Sequence, residues 1–322
     1  FEINEQELDL YDKLTDYVEE QSQKAAQDNS ARGRALGFTM AMLQRRFSSS
    51  IYALRQTLER MKAKREDILR DPEGYRKRQM ERRLPDDFYE LTEEEQQDIL
   101  SQLEELVASY DPEDLKQDIR SLSILIEKAK GLEDKQIESK LVKLKKVITE
   151  EGIFKDPTMK LLIFTEHKDT LTYLVERLKE WDLTVTYIAG GMKPGNRNEP
   201  GTRLFAEQEF RNSCQILVAT EAAGEGINLQ FCWFMINYDI PWNPMRLEQR
   251  MGRIHRYGQE KDCLISNFVS TNTREGRVLQ KLFERIRRIE DDLDPNRTGK
   301  IFNVLGDILP ANQLEKLVRD LY

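Results

Sequence analysis

The chain has 322 residues, 39% of them hydrophobic and 34% charged, with 50 Lys and Arg against 58 Asp and Glu for a formal net charge of −8. That is enough apolar material for one large core or two smaller ones, and the acidic total excludes indiscriminate nucleic-acid binding while leaving room for a local basic groove. No apolar run approaches the roughly 20 residues of a membrane helix, no signal-peptide pattern opens the chain, and the scattered Cys214, Cys232 and Cys263 with only His167 and His255 give neither a zinc site nor a disulfide framework.

A reduced, cytoplasmic setting without a membrane partner is therefore expected. The opening residue, Phe1 rather than Met, reads as the start of a piece of something longer.

Residues 1–150 carry helical stripes. Leu8, Tyr11, Leu14 and Val18 form the first, and Ile51, Leu54, Leu58 and Met61 the second. Ile99, Leu103, Leu106 and Tyr110 form a third, followed by Leu115, Ile119, Leu122, Ile126 and Ala129, then by Ile137, Leu141, Leu144 and Ile148. Between them, the charge-dense stretch Arg60–Asp98 carries Pro72 and Pro85 and predicts a mobile excursion or an irregular hairpin. These stripes are core-facing helix surfaces and carry no chemistry of their own.

From Met159 the texture changes. KLLIFTE predicts a buried strand, a helix follows through Leu171, Leu174, Val175 and Leu178, and TVTYIAG predicts a second strand ending at Gly190 and Gly191. A helix over about 203–212, strands at 215–219 and 233–238, a further helix and a strand at 263–270 complete the alternation. Strands separated by helices imply an α/β fold, a parallel sheet covered on both faces with right-handed crossovers. Ligands of such sheets gather at the carboxyl ends of the strands, where Thr165, Gly190 and Thr220 fall.

The stretch Gln215–Gln259 organises the rest. Asn243 and Pro244 suit the N-cap and first position of a helix on which Arg246, Arg250, Arg253 and Arg256 recur at helical spacing. Leu247, Met251 and Ile254 share the spacing on another face, so one face packs on a sheet while the other holds guanidinium groups in one direction. From Arg246 to Lys261, five Lys or Arg against two Glu give 5 − 2 = +3, a balance suited to phosphate recognition by forked donors.

Three motifs in order carry a resemblance. QRMGRIHRYGQ looks like motif VI of superfamily 2 helicases in its Swi/Snf-type form, VATEAAGEGINLQ looks like motif V, and YDIPWNP resembles the tryptophan-containing segment between them. LLIFTEHKDT is similar to motif IV. The resemblance covers Lys160 to about Val269 and implies the second RecA-like lobe of a DNA-dependent ATPase. FEINEQELDLYDKLTDYV looks like the segment leaving the first lobe, and LQRRFSSSIYALRQTL resembles the linking helices of the bacterial HepA/RapA-like branch. Domains are accordingly expected at 1–150, a helical segment, and 151–322, the lobe with C-terminal helices. The family pattern places an arginine soon after the glycine pair. Here Arg203 and Arg197 compete for that role, and KPGNRNEPG is an enlarged loop.

The resemblance implies that Arg253 and Arg256 are arginine fingers reaching across a cleft to ATP, with Gly226, Asn228 and Gln249 lining the same cleft. ATP and Mg would be held mainly by an N-terminal RecA-like lobe. The phosphate cradle G-x-x-x-x-G-K-[ST] does not occur here, since the one Gly-Lys pair, Gly299-Lys300, is followed by Ile301 and lacks the earlier glycine. No Asp-Glu dipeptide occurs either.

Hydroxyls and backbone N–H groups at strand ends contact nucleic-acid phosphates without reading sequence, which nominates Thr165, His167, Lys168, Gly190, Gly191 and Thr220 for duplex DNA. Trp242 resembles the aromatic that family members place against DNA, with a packed aromatic under the arginine helix as the competing reading. Arg32, Arg34, Arg45 and Arg46 are candidates for DNA or for plain surface. The expected function is the C-terminal motor half of a double-stranded-DNA translocase, its partners being the first lobe and a protein substrate or complex. A non-catalytic helical interaction module and half of an RNA-unwinding helicase are the alternatives.

Overall fold

The computed structural model describes residues 1–27, 42–71, 111–221, 227, 229–241, 244–254, 261–274, 276, 277, 279 and 280. They form two compact units: residues 4–138, and residues 1–3 together with Ser139 onward. The sequence stripe at 99–110 lies outside the described residues. The division falls one helix before the boundary expected near residue 150.

The first unit is helical. Helix α1 spans Glu5–Gln27, α2 Ile51–Arg70 and α3 Pro112–Lys135. Most of the expected stripe residues are its core, with Tyr11, Leu14, Val18, Leu54, Leu58, Met61, Leu122 and Ala129 all buried, while Leu8 and Ile119 are half-buried and Leu10, outside the stripe, is buried. Helix α2 starts where the Ser50 hydroxyl accepts the Ala53 N–H at 3.0 Å. It continues through Arg70, so residues 60–70 are regular helix where a mobile excursion or irregular hairpin was expected, and the rest of that stretch from residue 72 lies outside the described residues. The charged residues of Arg60–Arg70 ride on one helix, and the apolar Met61 and Ile68 keep its stripe buried. Helix α3 begins with Asp111 as N-cap and Pro112 in its first turn, and stops at Gln136, whose φ of 52° is left-handed.

A buried polar network joins the three helices. Arg65 donates to the Asp118 carboxylate and, at 3.1 Å, to the Met61 carbonyl, while the Tyr17 hydroxyl donates to Asp118 at 2.7 Å. Burial, with the Asp118 charge beside it, pushes the Tyr17 hydroxyl up. Arg46, a candidate for DNA contact, is buried in this unit at 5% exposure and presents no surface cation.

The second unit is a five-stranded parallel sheet. Helix α4 (Ser139–Glu150) precedes β1 (Leu161–Phe164), α5 (Lys168–Glu180), β2 (Val185–Ile188), α6 (Arg203–Asn212), β3 (Ile216–Ala219), β4 (Phe234–Asn237), α7 (Pro244–Met251) and β5 (Leu264–Asn267). The strand order is β2-β3-β1-β4-β5. β1, β3 and β4 are buried at every position, as central strands covered on both faces must be. Edge strand β2 alternates, leaving Tyr187 46% exposed.

Handedness then places the helices. The chain moves one way across the sheet from β1 to β2 and the opposite way in every later step, so right-handed crossovers set α5 on one face and α6, Ile227, residues 229–232 and α7 on the other. The core of that second face agrees: Leu162, Phe164, Phe210, Leu217, Ile227, Leu229, Met235 and Ile254 pack as one cluster. The chain's first residues are also stitched into this unit. Thr271 N donates to Phe1 O at 2.8 Å, and the Asn272 side chain bonds both Ile3 N and Ile3 O.

Candidate functional site

The pairing register sets Phe164, Ile188, Ala219, Asn237 and Asn267 level with one another. The loops that leave these residues share one edge, and they carry most of the candidates read from the sequence. Thr165, His167 and Thr220 are buried there, Gly190 is half-buried, and Lys168 and Gly191 are exposed. The Thr165 N–H donates to Ala219 O and the Thr220 N–H to Ile188 O, both at 3.0 Å, extending the ladder one residue past the strands. The Thr220 hydroxyl accepts the Gly190 N–H at 3.2 Å, fastening the β2 loop to the end of β3.

At the middle of this edge sits Asp239, 6% exposed. Lys140 of α4 donates to its Oδ1 at 2.6 Å. The Thr165 hydroxyl donates to Oδ2, and the Glu166 N–H reaches the same oxygen at 3.0 Å. Burial opposes the charge on Asp239, but the Lys140 ammonium, the neighbouring His167 and these donors outweigh it and hold its carboxyl well below the usual carboxylate range. A buried ion pair offsets its desolvation only when the remaining lone pairs are also bonded, and here they are.

Arg250 is the second anchor. Its guanidinium donates from Nε to Glu221 at 2.8 Å, from Nη2 to the same carboxylate, and from Nη1 to the Asp239 carbonyl at 2.7 Å, with its centre 5.1 Å from the Phe164 ring. This corrects the expectation that all the arginines of this helix point one way. Arg250 is 2% exposed and lies on the sheet-facing side with Leu247 and Ile254. The strand ends beneath it offer a carbonyl and a carboxylate, acceptors that a leucine would leave unsatisfied. Anchored so, α7 leaves Gln249 exposed; the helix stops at Met251, short of the length expected from the arginine spacing, and Arg253 lies half-buried in the turn that follows. Pro244 is its first residue, as expected. Gly226, Asn228, Trp242, His255 and Arg256 lie outside the described residues, as does Asn243.

The sequence reading assigned no role to Lys140, Asp239 or Glu221. One signal was present: Lys140 stands four positions before Leu144 on the buried face of α4, where a lysine needs a partner. The chemistry of the edge suits an anion. Its cations are guanidinium and ammonium groups, its neutral donors are hydroxyls and backbone N–H groups, and the Asp239 and Glu221 carboxylates are both taken up by cations of the chain.

A model of the helicase conserved C-terminal domain matches residues 139–258. An uncharacterised ATP-dependent helicase, YqhH of Bacillus subtilis, is 43% identical over 163 residues, 51% of this chain and 27% of that protein. The RNA polymerase-associated protein RapA of Vibrio atlanticus is 29% identical over 161 residues, 49% of this chain and 16% of that protein. The chain thus spans little more than a quarter of the first relative and less of the second. Among solved structures, the C-terminal part of the Fun30 ATPase domain is similar over 100% of this chain and 94% of that one, with a TM-score of 0.51 at 20% identity. The Hef helicase domain of Pyrococcus furiosus is similar over 89% of this chain and 56% of that one, with a TM-score of 0.52 at 14% identity. Those two likenesses speak for the fold alone. No helix among the described residues is long and apolar enough to cross a membrane. Residues 139–258 are a helicase conserved C-terminal domain, and the parallel sheet that carries it shares its fold with these helicase structures.

Proposed function

We propose that this lobe is the arginine-donating half of an ATP-driven translocase on double-stranded DNA, acting with an N-terminal RecA-like lobe in a reducing, cytoplasmic compartment. The observation that carries the reading is the anchoring of α7 by Arg250 across the carboxyl edge of the sheet. It supports the reading because Gln249 on α7 and Arg253 just past it are carried by a helix tied to the edge that also carries the loops of Thr165, Gly190 and Thr220.

Bound ATP with its Mg²⁺ would supply the phosphoryl group that hydrolysis transfers to water. Arg253 and Arg256 are assigned to the γ-phosphate, and Gln249 with Gly226 and Asn228 to the same cleft. A guanidinium held there stabilises charge that develops in the transition state more than it stabilises the ground state. The phosphate cradle and the metal carboxylates are assigned to the other lobe. On the nucleic-acid side, Lys168, His167, the Gly190–Gly191 backbone, Thr165, Thr220 and Trp242 are assigned to phosphate and sugar contacts that read no sequence. Thr165 and Thr220 have their hydroxyls engaged inside the fold, so their part is to set the loops whose N–H groups face the strand.

The test is steady-state ATPase and DNA affinity of a protein carrying both lobes. Arg253→Ala and Arg256→Ala each lower turnover by a factor on the order of 10³ with a much smaller loss of DNA binding. Thr220→Ala releases the Gly190 N–H and lowers DNA stimulation more than basal turnover. Normal turnover with lost DNA binding in both arginine variants would place α7 on the nucleic acid and overturn the assignment. The present chain alone should hydrolyse no ATP, and a DNA-stimulated ATPase signal from it that Arg256→Ala abolishes would overturn the reading.

A further inference from the structure

The enlarged loop between β2 and α6 is a built structure. The Arg203 N–H donates to Lys193 O at 3.0 Å and the Leu204 N–H to Pro194 O at 3.2 Å, so the loop's own carbonyls take the first N–H groups of α6. The Thr202 side chain, which at this N-cap position would ordinarily bond the helix, turns inward instead and donates to Asn196 O and Glu199 O at 3.1 and 2.8 Å. The Asn196 side chain accepts the Asn198 N–H at 2.9 Å and donates to the Glu199 carboxylate at 3.3 Å. Gly195 sits at φ 57°, where a Cβ would lie 2.2 Å from Thr202 Cγ2. A polar loop with this much internal bonding holds one shape without a partner.

Its charges are unspent. Lys193, Arg197 and Arg203 against Glu199 give 3 − 1 = +2 over residues 193–203, in a chain of net −8. Lys193 and Arg197 are exposed, and neither they nor Arg203 forms an ion pair with a described residue. The Nε of Arg203 is buried with no acceptor among the described residues. Other arginines of this lobe do find acids of the chain, as Arg177 does with Glu180 and Arg211 with Glu207. The loop leaves β2 directly after Gly190 and Gly191, at the same sheet edge as Lys168 and Thr220.

We propose that this loop is a preformed clamp for the phosphodiester backbone of nucleic acid, with Lys193 and Arg197 as its contacting cations and Arg203 at its base. It rests on the nucleic-acid reading of the carboxyl edge and extends that surface beyond the strand-end groups to the outer edge of the sheet. A rigid loop of this kind adds contacts at little ordering cost, because its geometry exists before the strand arrives.

The experiment titrates the chain onto a fluorescein-labelled 20-base-pair duplex, by anisotropy, between 20 and 150 mM salt. Each phosphate neutralised on duplex DNA contributes about −0.9 to the slope of log affinity against log salt, so the double variant Lys193→Gln with Arg197→Gln should flatten the slope by about 1.8. Lys155→Gln with Lys179→Gln removes the same charge at the opposite edge of the sheet and should leave the slope near that of the wild type. Gly195→Ala keeps every charge while spoiling the loop's shape, and should weaken binding with unchanged thermal stability in the body of the lobe. A loop double variant that matches the wild type, or that behaves like the opposite-edge control, overturns the proposal. So does competition by polyglutamate as effective as by unlabelled duplex at equal charge, which would mark a general acid-binding surface. A wild-type chain that binds no duplex sinks this proposal and the nucleic-acid reading together, whereas binding that survives the loop variants sinks the clamp alone.

Discussion

The Nζ of Lys140 lies 2.6 Å from Oδ1 of Asp239, with the two side chains 8% and 6% exposed. The pair fastens α4, at the start of the lobe, to the loop between β4 and the arginine helix. The same Lys140 ammonium lies 4.3 Å from the centre of the Tyr238 ring, so both neighbours in that loop are engaged by one side chain.

Removing Lys140 leaves a buried carboxylate without its counter-charge. Lys140→Met should lower the stability of the lobe at pH 7 by about 3–5 kcal/mol, while Lys140→Met combined with Asp239→Asn should cost markedly less. The pH dependence follows from the depressed carboxyl of Asp239. Its contribution is fully present above the unfolded value of about 3.9 and is lost as the pH falls toward the folded value. The gap between wild type and Lys140→Met should therefore narrow below about pH 4. Urea titrations at pH 7 and pH 3.5 measure it, and an equal gap at both values would show that the ion pair is not its source.

The arginines of α7 should separate by assay. Arg250→Lys keeps a charge but loses the fork that spans Glu221 and the Asp239 carbonyl, and should destabilise the lobe by about 2–3 kcal/mol. Arg253→Ala, half-buried in the turn just past α7, should move the melting temperature little. Thermal unfolding of both variants decides this, and equal losses would mean that Arg253 is also a structural anchor.

Cys232 should be chemically silent in the folded lobe. Burial pushes its thiol up to about 12, against the opposing effect of backbone N–H groups nearby. Iodoacetamide at pH 8 should therefore label Cys263 and Cys214 before Cys232, with Cys232 becoming reactive only in denaturant. Peptide mass mapping over time reads the order.

Much of the lobe was legible because parallel strands buried on both faces read as short apolar runs. The run KLLIFTE contains β1, and the helix expected at 203–212 is α6 (Arg203–Asn212). What escaped was pairing at long range. Lys140 and Asp239 are 99 residues apart, and no local period links a lysine in one helix stripe to an aspartate after a strand. Arg250 escaped for a related reason. Its spacing is shared with Arg246 and Arg253, and only the acceptors at the ends of β3 and β4 decide that, of these three, it is the buried one. The loop at 193–201 was recognisable as extra length, but its internal bonding depends on where Thr202 points, which spacing does not reveal.

The hydrogen bond of 2.9 Å from the Asn4 side chain to the Ile137 carbonyl brings together the two ends of the helical unit. Because residues 1–3 already belong to the sheet-bearing unit, the lobe is discontinuous in sequence and residues 4–138 are an excursion from it. An excursion whose ends meet behaves as a cassette. Its length and sequence can drift, or be exchanged between homologues, without disturbing a single strand register, and a short glycine-serine splice from Ile3 to Ser139 should yield a lobe that still unfolds cooperatively.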